Sequence, residues 1–295
     1  MSSTFVTGLL ALGSLFASSF INYSPYMVKT IAPGNQWANT PLQLVHTPAY
    51  ETNQTDLFTN GATHMALVHN AMIRGFNSIH HQAPLVEEKH KADFVSYSKV
   101  WAKFVMSHHH DEEDNLFVAV SEILDDKTIW ADTQKEHESF VDGVRVFQAY
   151  LNNLKDAKDV SGSRVVALLD KFSKDFENHM HSEVKTIAAL AKHRNAPKEG
   201  SAEAEVATQT FKTWGKKTIT KAGMADVLPF FLLNLDATYE DGRWASWPPM
   251  PKPIRWAMTN IVGAYYGNYW KFSSCNAEGQ PKELFVYEFP ATKTE

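Results

Sequence analysis

Between residues 61 and 195 the chain repeats apolar residues every three or four positions, in four separate stretches. Met65, His69, Met72, Ile73 and Phe76 form the first stripe; Trp101, Phe104, Val105, His108, Glu112 and Leu116 form the second. His137, Phe140, Val141, Val144, Phe147 and Leu151 form the third, and Phe172, Phe176, His179, Glu183, Ile187 and Leu190 the fourth. This spacing places each set on one side of an α-helix. The joints are polar, and no segment there alternates with the period of two that marks a strand. Four successive amphipathic helices predict an all-α fold, an up-down four-helix bundle over residues 61–195.

The flanks read differently. Lys29 is the first charged side chain, and the apolar run Phe5–Ile21 is slightly shorter than the ~20 residues a membrane-spanning helix needs. No basic side chain precedes the run, as one normally does in a secretory signal. Residues 1–30 therefore read as a helix packed on the protein body, which points to the cytoplasm. A signal peptide or membrane anchor is the alternative, and only then is membrane contact expected. Residues 31–60, rich in Pro, Asn and Thr, read as a loop. Residues 196–203 form a joint, and a short helix is expected over 203–222. The extension 196–295 carries five of the eight tryptophans, the segment Trp247-Pro-Pro-Met-Pro-Lys-Pro253, and an apolar run interrupted by Pro229. It is too apolar for a solvated tail and is predicted to pack on the bundle as irregular coil and short helices.

Composition narrows the chemistry. Of 295 residues, 44% are hydrophobic and 21% charged, as in an ordinary globular protein. The net charge is −5 and there is no basic tract, which argues against nucleic acid as a partner. A single cysteine, Cys275, excludes an intramolecular disulfide or a thiolate metal site. The 13 histidines are the unusual number, because each apolar stripe carries one. A lone histidine on an apolar face is ordinarily a hydrogen-bonded core residue. Four on four successive helices are better explained by a shared ion, since unpaired buried imidazoles cost about 1–3 kcal/mol each.

Two of those histidines have a carboxylate one turn away, in His108-x-x-x-Glu112 and His179-x-x-x-Glu183. At that spacing both side chains leave the helix on the same face. Imidazole and carboxylate donors suit iron, with manganese or zinc as alternatives. Carboxylates that can bridge suit two ions, and bundles house such pairs. The run Ser107-His-His-His-Asp-Glu-Glu-Asp114 leaves the register open, because His109 and Glu113 fit the same spacing. Both are further candidate ligands, while His110, Asp111 and Asp114 read as the solvated side.

The motifs Met65-Ala-Leu-Val-His69, His108-His-His-Asp-Glu-Glu-Asp-Asn-Leu-Phe117, Glu136-His137-Glu-Ser-Phe140 and His179-Met-His-Ser-Glu183 together resemble the hemerythrin-like, HHE cation-binding family. The resemblance covers about residues 61–195, and long fungal members look similar beyond it. It implies a non-haem di-iron centre in which His69, His108, His137 and His179 are terminal ligands and Glu112 and Glu183 bridge. One departure stands out. The family's oxygen carriers have a second histidine one turn along the third helix, whereas Thr133 and Val141 flank His137 here. The centre is one histidine short unless His109 or Glu113 substitutes. That departure favours O2 activation or sensing over carriage, and the long appended segment, which a carrier does not need, favours an oxidoreductase with a small organic substrate, the aromatic extension capping the bundle end. The alternative is a non-catalytic protein for iron or oxygen binding, storage or sensing. Nothing in the sequence sets the oligomeric state.

Overall fold

The computed structural model describes residues 39–288, so the apolar run near the N-terminus lies outside the described residues. Within them the chain is all-α, and the only β pairing is an isolated bridge between Cys275 and Pro281. Helix α1 (Pro48–Thr52) precedes the long α2 (Leu57–Gln82) and α3 (Lys91–Asp111). A π-helical turn over Glu112–Leu116 joins α3 to α4 (Phe117–Leu124). Then come α5 (Ala131–Asn152), α6 (Gly162–Leu169) and α7 (Ser173–Ala189). The extension adds α8 (Ala202–Ala222), α9 (Val227–Leu232) and α10 (Lys252–Ala257), with 3-10 turns between them.

Four of these make the bundle: α2 packs on α7 and α3, and α5 packs on α3 and α7. Helix α2 begins where Asp56 accepts hydrogen bonds from the backbone N–H groups of Phe58 and Thr59, both at 3.0 Å, satisfying two otherwise unpaired donors. Rings of Phe76, Trp101, Phe147, Phe172 and Phe176 interlock across the bundle at centroid distances of 5.7–6.4 Å. Each such ring removed from water contributes on the order of 1.5–3 kcal/mol. This layer fixes the helix spacing, and the histidines stand beyond it, past Phe104 on α3 and Phe140 on α5.

The segment expected as a loop over 31–60 is partly helical. Pro at the start of a helix costs no hydrogen bond, and α1 opens on Pro48. Before it, an extended strip is held by two asparagines of α2, two turns apart. Asn70 receives the N–H of Val45 and donates to its carbonyl, at 2.7 and 2.9 Å. Asn77 does the same for Leu42, at 3.0 and 2.8 Å. The buried amides thus find the partners that burial demands.

The extension runs along α2 from end to end. Phe211 meets Phe58, Trp247 stacks on His64, Phe230 lies against Gly75, and Ser78 donates to the Phe272 carbonyl. Arg74 forms a buried ion pair with Asp236 at 2.5 Å. As a result every residue of α2 from Met65 to Ile79 is buried. No helix of the described residues is long and apolar enough to cross a membrane.

Candidate metal centre

Six histidine and glutamate residues from all four bundle helices converge in the core, and His109 joins them. His69 comes from α2, His108 and His109 from α3, Glu112 from the π turn, His137 from α5, and His179 and Glu183 from α7. All seven are buried. Donor atoms of His109, Glu112, His137 and His179 all lie within 4.8 Å of one another. So do those of His69, His108 and Glu112, and those of His69, His179 and Glu183. Glu112 belongs to two groups, and Glu183 Oε2 stands 3.3 Å from His69 Nε2 and 3.7 Å from His179 Nε2. Both carboxylates therefore reach across the two sets of imidazoles.

The imidazoles are turned by what holds their outer edges. Nδ1 of His69 donates to the Met180 carbonyl at 2.9 Å, and Nδ1 of His109 to the Val105 carbonyl at 2.8 Å. Nδ1 of His137 is held by Glu113 at 2.8 Å, and Nδ1 of His179 by Glu136 at 3.3 Å. A proton on Nδ1 leaves the Nε2 lone pair facing inward, the tautomer a metal-binding histidine needs. His108 differs: its Nδ1 has no hydrogen-bond partner, and its ring lies 6.0 Å from that of Trp214 on α8.

This donor set fits divalent cations. Nε2 of His69, His108 and His137 and all four carboxylate oxygens of Glu112 and Glu183 are buried and make no well-formed hydrogen bond, although His108 Nε2 stands 2.8 Å from Glu112 Oε1. His109 Nε2 and His179 Nε2 face each other at 3.2 Å. With both Nδ1 atoms protonated, two lone pairs oppose each other there, an arrangement that a cation between them relieves. Burial, reinforced by the neighbouring imidazoles, holds the pKa of His108, His109 and His179 well below the usual histidine range. Burial, with Glu183 next, pushes the Glu112 carboxyl well above the usual range.

The π turn explains the open register of the triple-histidine run. The turn over Glu112–Leu116 is wider than that of a regular helix. The N–H of Glu112 is shared between the carbonyls of His108 and His109. Both histidines then face the centre, and His109 stands among the donors of Glu112, His137 and His179. Glu113 stands outside the donor groups and braces His137. His110 and Asp114 are exposed as expected, but Asp111 is buried. It turns toward α8, where Lys221 Nζ lies 3.1 Å away, and also accepts from Asn115 at 2.9 Å.

The expected aromatic cap takes a different form. Trp214 covers the His108 side, with its indole N–H donating to the Asp111 carbonyl at 3.3 Å. A cleft of about 180 Å³ opens instead between α3 and α5, where His109, Glu113 and His137 meet Met106, Glu138 and Arg145. The bracing residues Glu113 and Glu136 were not foreseen in these roles. An outer carboxylate touches one ring edge and needs no fixed spacing in sequence.

Comparison with known proteins agrees with this geometry. Residues 60–191 match the hemerythrin HHE cation-binding domain. The chain is 27% identical over 248 residues to the dimeric xanthone biosynthesis cluster protein R11 of Cryptosporiopsis sp. (strain 8999). That similarity covers 83% of this chain and 90% of the relative, so it extends beyond the bundle into the flanks. No solved structure matches the chain significantly. The four helices that carry the buried histidines thus lie within a stretch, residues 60–191, that matches the hemerythrin HHE cation-binding domain.

Proposed function

We propose that this protein holds two iron ions and acts as an oxidoreductase on O2 and a small organic substrate. The observation that carries the reading is the set of buried donors lacking well-formed hydrogen bonds, in which two carboxylates span two groups of imidazoles. His109, His137 and His179 with one Glu112 oxygen would hold one ion, and His69 and His108 with the other oxygen the second. Glu183 lies within reach of both. Imidazole and carboxylate donors without thiolate suit iron, with manganese or zinc as the alternatives. A pair of ferrous ions supplies electrons to O2 when bound.

The chain's own residues set the conditions for that chemistry. The ring layer of Phe140, Phe104 and Phe176 keeps bulk water from the donors, which protects a reactive centre. Glu113 and Glu136 fix the tautomers of two ligands. The cleft beside His109 and His137 gives access from solvent. Support for catalysis comes from the relative, whose name assigns it to a biosynthesis cluster.

One observation favours the second reading, an iron or oxygen binding protein without turnover. At about 180 Å³ the cleft is smaller than the ~300 Å³ and upward of typical organic-ligand pockets. O2 fits it, whereas a larger substrate would react from its mouth. The two readings part on turnover. Protein purified without added metal should carry close to two irons per chain by elemental mass spectrometry. An enzyme would then consume O2 faster when substrate is supplied, and a carrier or sensor would not. A folded protein that holds no stoichiometric metal and refuses added Fe(II) would sink both.

A further inference from the structure

The four histidines held by hydrogen bonds are not held alike. Those of His69 and His109 donate to backbone carbonyls, which are neutral. Those of His137 and His179 meet carboxylates, Glu113 and Glu136. Glu136 is itself fixed by Ser182, whose hydroxyl donates to Oε2 at 2.5 Å. His108 has no outer partner and is steadied by the ring of Trp214. A carboxylate behind an imidazole raises its basicity toward a cation and locks its ring, and loss of such a partner typically weakens metal affinity 10–100-fold.

Both carboxylate-backed imidazoles fall in one donor group, together with His109 and Glu112, while His179 is also shared with the group of His69 and Glu183. The other position draws on His69, backed by a carbonyl, and His108, backed by nothing. Building on the two-ion reading above, we infer that Glu113 and Glu136 are positioning residues that make the His109–His137–His179 position the tighter one and the first to fill. The His69–His108 position fills second and exchanges its ion more readily. Glu113 has a second consequence: its side chain is 40% exposed at the cleft that borders this same position. The strongly held ion is therefore the one next to the cleft.

The test titrates the full-length, metal-free chain with Co(II), following its visible absorption together with calorimetric binding. Wild type should take up two ions in two resolved steps. E113Q and E136Q should weaken the first step about 10–100-fold and shift the absorption of the first ion, leaving the second step in place. S182A should act in the same direction as E136Q, more weakly. These side chains reach solvent, so folding is expected to survive, and circular dichroism confirms it before titration. H108A should remove the second step and keep the first. Two ions entering wild type in one indistinguishable step would overturn the inference. So would Gln variants that weaken both steps alike, or only the second, or neither. Fewer than two ions bound by wild type would overturn the two-ion reading itself, a separate result.

Discussion

At the scale of single residues, the histidines couple the centre to pH in a direction that can be worked out. His108, His109 and His179 have folded-state pKa values well below those of unfolded histidine, chiefly through burial. Below the unfolded value, about 6.5, the unfolded chain binds protons at these sites and the native chain does not. Native stability is therefore lost as pH falls through that window. Glu112, pushed upward by burial, has the opposite sign: it costs stability as pH rises above the ordinary carboxylate value. Three histidines against one glutamate leave a net loss on acidification. Each fully shifted group contributes roughly 1 kcal/mol per pH unit. Metal-free protein in chelator should show a Tm that drops steeply between pH 7 and pH 5.5, and H109A should flatten that slope. A Tm indifferent to pH in this range would mean that these imidazoles are not buried neutral. The residues behind this behaviour were mostly legible in the sequence, because the i, i+4 spacing carries His108–Glu112 and His179–Glu183. Glu113 and Glu136 were not legible as braces, and neither was the burial of Asp111, whose partner Lys221 lies far along the chain.

At the scale of elements, four helices could be read because each keeps a long stripe on one face. Short elements could not. Helix α6 spans two turns, too few to separate a period of 3.6 from chance, and α1 is hidden in a Pro- and Thr-rich stretch. The π turn left no mark of its own, because the four-residue steps of Leu116, Val120 and Leu124 are equally those of a regular helix. Contact between elements depends on small residues that the stripes do not reveal. Gly75 on α2 lets Phe230 of α9 and Trp101 of α3 come close. A Cβ built there would sit 2.6 Å from Phe230 Cζ and 2.8 Å from Trp101 Cδ1. Both rings belong to the buried core and cannot simply swing into solvent. Gly75→Ala should therefore destabilise by about 1–3 kcal/mol despite the better helix propensity of alanine. Urea unfolding should show a lower midpoint with an unchanged slope. A stabilised variant would mean that α9 gives way without cost.

At the scale of the whole molecule, the extension changes how the bundle is understood. A bundle helix normally exposes one face, yet α2 is buried on every side between Met65 and Ile79. One face meets the other bundle helices. The rest is covered by the strip around Leu42–Val45 and by the extension, through Phe230, Trp247 and the Arg74–Asp236 pair. The domain match ends at residue 191, but the burial does not. Covering α2 gives the extension a structural role, so its length alone is no argument for catalysis. A chain cut after residue 195 would leave the Arg74 guanidinium, buried in the intact protein, without Asp236. It would also expose the apolar side of α2. Breaking a buried ion pair costs about 3–5 kcal/mol where the remaining charge stays buried, a large share of the 5–15 kcal/mol that stabilises a typical domain. The lost apolar cover adds to it. The truncated chain should accordingly aggregate or unfold without a cooperative transition, while the full chain unfolds sharply. A soluble, cooperatively folding fragment that still takes up metal would show that the extension is dispensable for the fold. Its retention would then have to be explained by what it does at the cleft or at His108.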